Sequence, residues 1–346
     1  MDRRKFNKLI LGAPLLLAPQ KNLPVIDGPY GIRIKKPPRL QKGDKVGLIA
    51  PASAASQEKF EKAIFNLESL GLQVSVGTYA HEKTGFLAGD DEKRLSDLHR
   101  MYEEDSIKAI WAVRGGYGTT RIISRLNYRM IRKKAKILIG YSDITALSNA
   151  IFARSGVVGF HGPVGSSDFT EYNQEYLRKV LFEGHVKLKV SIGDANRENP
   201  SGAFRQQVIT PGHMKGRLAG GNLTLLSAMA GTGLLPDFKG KIVFIEDIGE
   251  KPYRIDRMLT QLLTTTNLAK ASGILLGVFE DCETKNTDNS WTLEEVLRDR
   301  LGQLGMPVFY GFPIGHIKDQ ATIPIGIAAK FDTTSRELIY LESPVK

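Results

Sequence analysis

Along most of its length the chain alternates short apolar runs with amphipathic stretches. Residues 45–50, Lys-Val-Gly-Leu-Ile-Ala, form one such run. Residues 58–70 follow with Phe60, Ile64, Leu67 and Leu70 at helical spacing, ended by Gly71. Runs at 73–77, 109–113, 137–139 and 157–160 predict further strands. Between them, residues 90–102 with Leu95, Leu98 and Met101, a segment from Thr119, and residues 145–154 predict helices. Strands interleaved with crossover helices imply a parallel sheet with right-handed connections, so residues 40–165 are expected to form an N-terminal α/β domain.

From 166 to 205 the pattern turns polar and rich in turn residues, which reads as a linker region around one helix. A second domain is expected over 206–346. There, residues 216–223 are expected to open a helix running to Ala230. Strands are predicted at 241–245, 273–279 and 307–310, with helices at 253–264 and 291–304. No internal repeat or low-complexity tract interrupts this order. A length of 346 residues agrees with two domains, since single cores stop growing near ~250–300 residues.

The first 22 residues stand apart and are expected to be an export signal. The basic start contains Arg3-Arg4, resembling a twin-arginine signal, and the apolar stretch 9–18 is too short for a membrane helix, which needs ~20 residues. Such a signal implies an expected location that is periplasmic or exported. The alternative is a basic amphiphilic tail on a cytoplasmic protein, because Pro14 interrupts the apolar stretch and no clean cleavage site follows. The net charge of +11 is partly terminal, with Arg3, Arg4, Lys5, Lys8 and Lys21 facing only Asp2. The other basic residues are scattered without interleaved aromatics, which argues against nucleic acid and supports only a general attraction to polyanions such as a cell envelope. A single cysteine, Cys282, excludes a disulfide framework and a cysteine zinc site.

Candidate chemistry centres on Ser142, in Gly140-Tyr141-Ser142-Asp143, where an apolar run meets a helix. A serine at a strand-to-helix turn exposes its hydroxyl beside the first helical N–H groups, as a nucleophile requires. Ser-Asp at that place is equally good capping chemistry. Arg114-Gly115-Gly116-Tyr117-Gly118 also joins a strand to a helix. It lacks the spacing of dinucleotide and P-loop motifs, and its glycines suit either an oxyanion hole or a plain turn. Glu246 closes a predicted strand, where it could orient an imidazole or simply be solvated. His316 lies in a loop after the last predicted strand and could be a base or a surface residue. The remaining histidines form no i, i+4 metal pair. Ser, Glu and His in that chain order match hydrolases built on α/β sheets.

Taken in order, Gly47-Leu-Ile-Ala-Pro-Ala-Ser53, residues 86–94, Arg114-Gly-Gly-Tyr-Gly118, Gly140-Tyr-Ser-Asp143, His161-Gly-Pro163, Gly220-Gly-Asn-Leu223, residues 246–254 and Gly315-His316 resemble the LD-carboxypeptidase family of serine peptidases, whose namesakes are muramoyltetrapeptide carboxypeptidases. The resemblance runs from about residue 44 to the C-terminus. It implies an α/β N-terminal half carrying the nucleophile Ser142 and a mixed α/β C-terminal half supplying Glu246 as charge partner and His316 as base. It also implies an oxyanion hole from the N–H groups of Asp143 and of Gly115 or Gly116. The implied substrate is a peptidoglycan-derived peptide, with no cofactor or metal, and family members are often homodimers.

Two other readings remain. A self-immunity peptidase of the microcin C type would act on an aminoacyl-nucleotide conjugate and need an aromatic partner for the base, Trp291 being one candidate. A non-catalytic wall-peptide-binding protein would have no need of all three triad positions. Arg114, Glu250 and Asp319 lie near the motifs and are candidates for substrate contact or ordinary structural charges.

Overall fold

The computed structural model describes residues 31–198, 201–284 and 289–346, so the expected export segment at 1–22 lies outside the described residues. Two sheets organise the chain. The first has the order β12-β5-β4-β3-β1-β2, with β1 (Lys45–Ile49), β2 (Gln73–Val76), β3 (Ile107–Ala112), β4 (Ile137–Ile139) and β5 (Gly159–His161) all parallel. The short strand β12 (Ile323–Ile325) closes this sheet by antiparallel pairing with β5. The second sheet is mixed. Its parallel centre consists of β8 (His213–Asn222), β9 (Ile242–Ile248), β10 (Gly273–Glu280) and β11 (Val308–Tyr310). It is flanked by antiparallel β7 (Gln207–Thr210) on one side and by β13 (Ala328–Asp332), β14 (Glu337–Tyr340) and β6 (Lys189–Val190) on the other. The expected α/β architecture, a parallel-sheet half followed by a mixed half, is the observed one.

The central strands are continuous apolar runs because helices cover both sheet faces. Helices α1 (Gln57–Ser69) and α2 (Asp91–Glu103) start where Ser56 and Asp90 accept hydrogen bonds from the N–H groups of Lys59 and Lys93. Shorter helices follow: α3 (Tyr128–Lys134), α4 (Ile144–Ser155), α5 (Glu171–Leu177), α6 (Asp194–Arg197) and α7 (Leu223–Met229). The last are α8 (Pro252–Thr265) and α9 (Leu293–Leu301). The polar stretch at 166–205 carries α5, α6 and β6, the last of which pairs into the second sheet. Apolar side chains of the two sheets merge into one interior, where Ile139 and Phe160 share a cluster with Phe244 and Ile314.

Two local expectations are corrected. Residues 119–125 form two short 3-10 turns rather than a helix, and α3 begins only at Tyr128, capped by Asn127, whose side chain accepts from the Met130 N–H. Residues 216–222 are strand, not helix. Gly216 and Arg217 pair with β13 and residues 218–222 with β9, and the helix opens only at Leu223, capped by Asn222. Gly220 explains why helical spacing misleads here: it has φ 138°, and a β-carbon would lie 1.9 Å from the Phe244 carbonyl oxygen. Gly220→Ala is therefore expected to cost about 3 kcal/mol or more, read as a large fall in melting temperature. Unchanged melting would mean that β8 and β9 can separate at this point.

Candidate active site

In the order β2-β1-β3-β4-β5 the connections reverse direction between β1 and β3, and open α/β sheets hold ligands at the carboxyl ends of strands at such a point. Three loops meet there. The loop after β1 brings Ser53, whose Oγ accepts from the Tyr117 N–H at 3.0 Å. The glycine-rich loop after β3 returns Arg114 Nη1 to the Ala54 carbonyl at 3.1 Å. After β4, the chain turns sharply at Ser142 into α4.

Ser142 has φ 60°, the left-handed region that a residue with a β-carbon enters at a cost of ~1–3 kcal/mol. That backbone makes the sharp strand-to-helix turn. The capping alternative does not hold: the helix N-cap is Asp143, and neither its side chain nor a serine hydroxyl caps α4. Instead Asp143 is buried and ties the turn to the glycine-rich loop. Its Oδ2 accepts from the Thr119 N–H at 2.8 Å, and Thr119 Oγ1 donates to its carbonyl at 2.7 Å. Burial raises the Asp143 carboxyl above its ordinary value, despite these donors.

Gly115 lies directly against this turn. A β-carbon there would sit 2.8 Å from Ser142 Cβ, 3.0 Å from its Oγ and 3.3 Å from the Asp143 nitrogen. Only glycine leaves room for the two backbones to approach so closely. Gly116 faces elsewhere, toward Ser53 Oγ, 2.4 Å from where its β-carbon would be. Arg94, fully buried, holds the far side of the loop by donating to the Gly118 carbonyl at 2.9 Å and the Pro51 carbonyl at 2.6 Å. Its ion pair to Asp91 anchors the guanidinium in turn.

The second half contributes a pair. Glu246, near the end of β9 and wholly buried, accepts from Nδ1 of His316 at 2.9 Å. Burial alone would raise the Glu246 carboxyl, but the His316 hydrogen bond and charge outweigh it and hold the group below its usual range. Burial likewise pulls the His316 imidazole down, and Glu246, helped by the Asp247 and Glu280 charges, more than reverses this, so the ring sits above the ordinary histidine value. The loop carrying His316 is braced: Gln320 Nε2 donates to the Gly315 carbonyl at 2.5 Å, and the Val278 N–H donates to the Ile314 carbonyl at 3.0 Å.

The halves meet at the Ser142 turn. Tyr141, adjacent to Ser142, sets its ring edge-on to His316 with centroids 4.8 Å apart. From α4, Asn149 Nδ2 donates to the Gly220 carbonyl at 2.9 Å, and the Thr145 hydroxyl accepts from the Asn222 N–H at 3.0 Å. Asn222 Nδ2 continues to Asp247 Oδ1 at 2.9 Å. Burial, followed by the neighbouring Glu246 charge, pushes Asp247 up to about 6.

Of the residues expected from the sequence, Ser142, Asp143 and Gly115 meet at this turn, Gly116 lies in the same loop against Ser53, and the Glu246–His316 pair approaches through the Tyr141 ring. Sequence reasoning assigned nothing to Arg94, Thr119, Asn222 or His161, although each lies in or beside a quoted motif. Their partners are distant in the chain, and only polar residues set among glycines hinted at them. Of the other candidates, Asp319 is structural, accepting from Thr170 Oγ1 at 2.9 Å and the Ala195 N–H at 3.0 Å. Glu250 accepts from Arg254 at 3.4 Å. Trp291 is exposed and lines a surface cavity with Lys251, Tyr253 and Asp256 at the start of α8. Among the described residues no cluster of His, Cys, Asp and Glu could hold a metal, and no helix is long and apolar enough to cross a membrane.

Comparison with known proteins bears on the same cleft. Residues 46–162 match the LD-carboxypeptidase N-terminal domain, and residues 215–331 match the LD-carboxypeptidase C-terminal domain. A Bacillus subtilis protein named probable murein peptide carboxypeptidase is 40% identical over 309 residues, 88% of this chain and 93% of that protein. The murein tetrapeptide carboxypeptidase of Pseudomonas aeruginosa is 34% identical, over 82% of this chain and 92% of its own. Among solved structures, muramoyltetrapeptide carboxypeptidase from Oxalobacter formigenes superposes with TM-score 0.74 at 30% identity, covering 86% of this chain and 97% of that one. The microcin C7 self immunity protein MccF shares the fold at TM-score 0.82 and 23% identity, over 90% of this chain and 99% of its own. With both family domains matched in order and relatives of 34–40% identity along most of its length, this chain belongs to the LD-carboxypeptidase family.

Proposed function

We propose that this protein is a serine carboxypeptidase that removes the terminal D-alanine from peptidoglycan tetrapeptides by cutting an L-to-D bond through an acyl-enzyme. The observation that carries the reading is the strained Ser142 turn beside a buried, hydrogen-bonded Glu246–His316 pair. In it, His316 takes the Ser142 proton as the hydroxyl oxygen attacks the substrate carbonyl. The N–H groups of Asp143 and Gly115 receive the oxyanion, a role favoured for Gly115 over Gly116 by its contact with Ser142. Glu246 fixes the imidazole with Nδ1 protonated, leaving the other nitrogen to accept. Collapse breaks the C–N bond, His316 protonates the departing amine of D-alanine, and water attacks the acyl-enzyme by the same route in reverse.

The peptidoglycan substrate rests on the relatives of 34–40% identity named for murein peptides. Incubation with tri-, tetra- and pentapeptide muropeptides followed by mass analysis should show loss of alanine from the tetrapeptide alone. Preferred turnover of an aminoacyl-nucleotide conjugate, or no release from any muropeptide, would overturn the reading. The base must be neutral to act, and His316 is held above its ordinary value. Activity is therefore expected to rise with pH, with the acid limb of kcat/KM centred above the ordinary histidine value of ~6.5. A limb well below that value would remove His316 from the role of base.

A further inference from the structure

His161, the last residue of β5, is fully buried, and neither of its ring nitrogens has a hydrogen-bond partner. Such an imidazole costs free energy unless something satisfies it. It does not sit in a purely apolar pocket. Its ring meets Phe244 with centroids 5.3 Å apart and Tyr141 at 6.2 Å. Phe244 and Glu246 are two residues apart on β9 and so project from the same face, which puts the imidazole beside the Glu246 carboxylate. Glu246 spends one oxygen, Oε2, on His316, while its other oxygen, Oε1, is buried without a closed hydrogen bond, since the nearby Asn222 amide is drawn to Asp247 Oδ1. Two buried polar groups without closed hydrogen bonds thus lie close enough for the charge of one to act on the other.

We propose that His161 is a positioning residue for the triad, supplying Glu246 Oε1, directly or through a single water, with the hydrogen bond that this oxygen otherwise lacks. The inference rests on the triad reading above and deepens it. A neutral donor suits the place: burial pushes the His161 imidazole down to about 4, so at neutral pH it carries one N–H and no charge. By sharing the carboxylate's charge, the donor limits how firmly Glu246 holds the proton on His316 and fixes the carboxylate rotamer that aims the base. The geometry also gives β12 a purpose. Ile323 pairs with His161, only seven positions after His316, so one strand ties the loop of the base to its supporting imidazole.

The test uses His161→Phe, which keeps a planar ring in the pocket, and His161→Asn, which keeps a donor. The Phe variant should lose about tenfold or more in kcat, with KM little changed, and the Asn variant should recover part of it. Without the donor Glu246 becomes more basic, so the acid limb of the Phe variant should move to higher pH. Asp247 and Glu280 also face His316, and Asp247 titrates near 6, so the comparison is variant against parent at each pH. An activity-independent reading is the NMR titration of His316 in a Ser142→Ala background, where adding His161→Phe should raise its midpoint. Wild-type kcat in the Phe variant, or lost kcat with an unmoved His316 titration, overturns the proposal. Retained turnover in Ser142→Ala alone would instead reject the triad itself, which keeps the two failures apart.

Discussion

Ser142→Ala is expected to lower tetrapeptide turnover by about 10⁶-fold while leaving the protein folded, because removing the nucleophile of such a triad costs nearly everything the triad contributes. The residual rate should be that of substrate held against the N–H groups of Asp143 and Gly115. The fold should tolerate the change, since Ser142 takes no part in capping α4 and only its carbonyl is used, accepting from the Thr145 N–H at 2.9 Å. A sharper version uses glycine. At φ 60° a side chain is strained, so Ser142→Gly should abolish turnover yet melt no lower than the parent, and higher if relief of strain exceeds the added freedom of the unfolded chain. Rates are read by mass analysis of released alanine and stability by thermal melting. Turnover within tenfold of the parent in either variant would reject Ser142 as nucleophile.

Glu246→Gln should cost about 10⁴-fold in kcat, the loss expected when a triad's carboxylate becomes an amide and the imidazole takes the wrong tautomer. The carboxylate is fully buried, and its bond to Nδ1 is a hydrogen bond that orients the His316 ring. The pH consequence follows from the same contact. After burial, which pulls the His316 imidazole down, the Glu246 hydrogen bond and charge are the largest influences and raise it, with Asp247 and Glu280 adding less, so without that charge the imidazole falls. The acid limb of kcat/KM should then shift to lower pH, opposite to the shift expected for His161→Phe. An unmoved limb in Glu246→Gln would show that the titrating base is not His316.

The comparison of pattern and structure separates two kinds of information. The strands with continuous apolar runs, such as 45–49 and 273–279, are legible because burial on both faces removes any need for polar residues. The capped helices α1 and α2 are legible because Ser56 and Asp90 satisfy helix N–H groups locally. Residues 216–222 were not legible, since their glycines serve contacts made across the sheet rather than along the chain. The short strands β6, β7, β12, β13 and β14 are not legible for a related reason: two to five residues carry too little periodicity to be read.

The sequence by itself determined the alternation of strand and helix, because that depends on neighbours a few residues away, and the resemblance of its ordered motifs pointed to the three proposed triad positions. The tertiary structure alone decided that Glu246 and His316, 70 residues apart, share a hydrogen bond, and that Gly115 rather than Gly116 touches Ser142. It alone decided that His161 packs against Phe244 of β9, held where β12 crosses back to the first sheet. These are contacts between distant segments, fixed by sheet order and close backbone approach, and no local pattern in the chain encodes them.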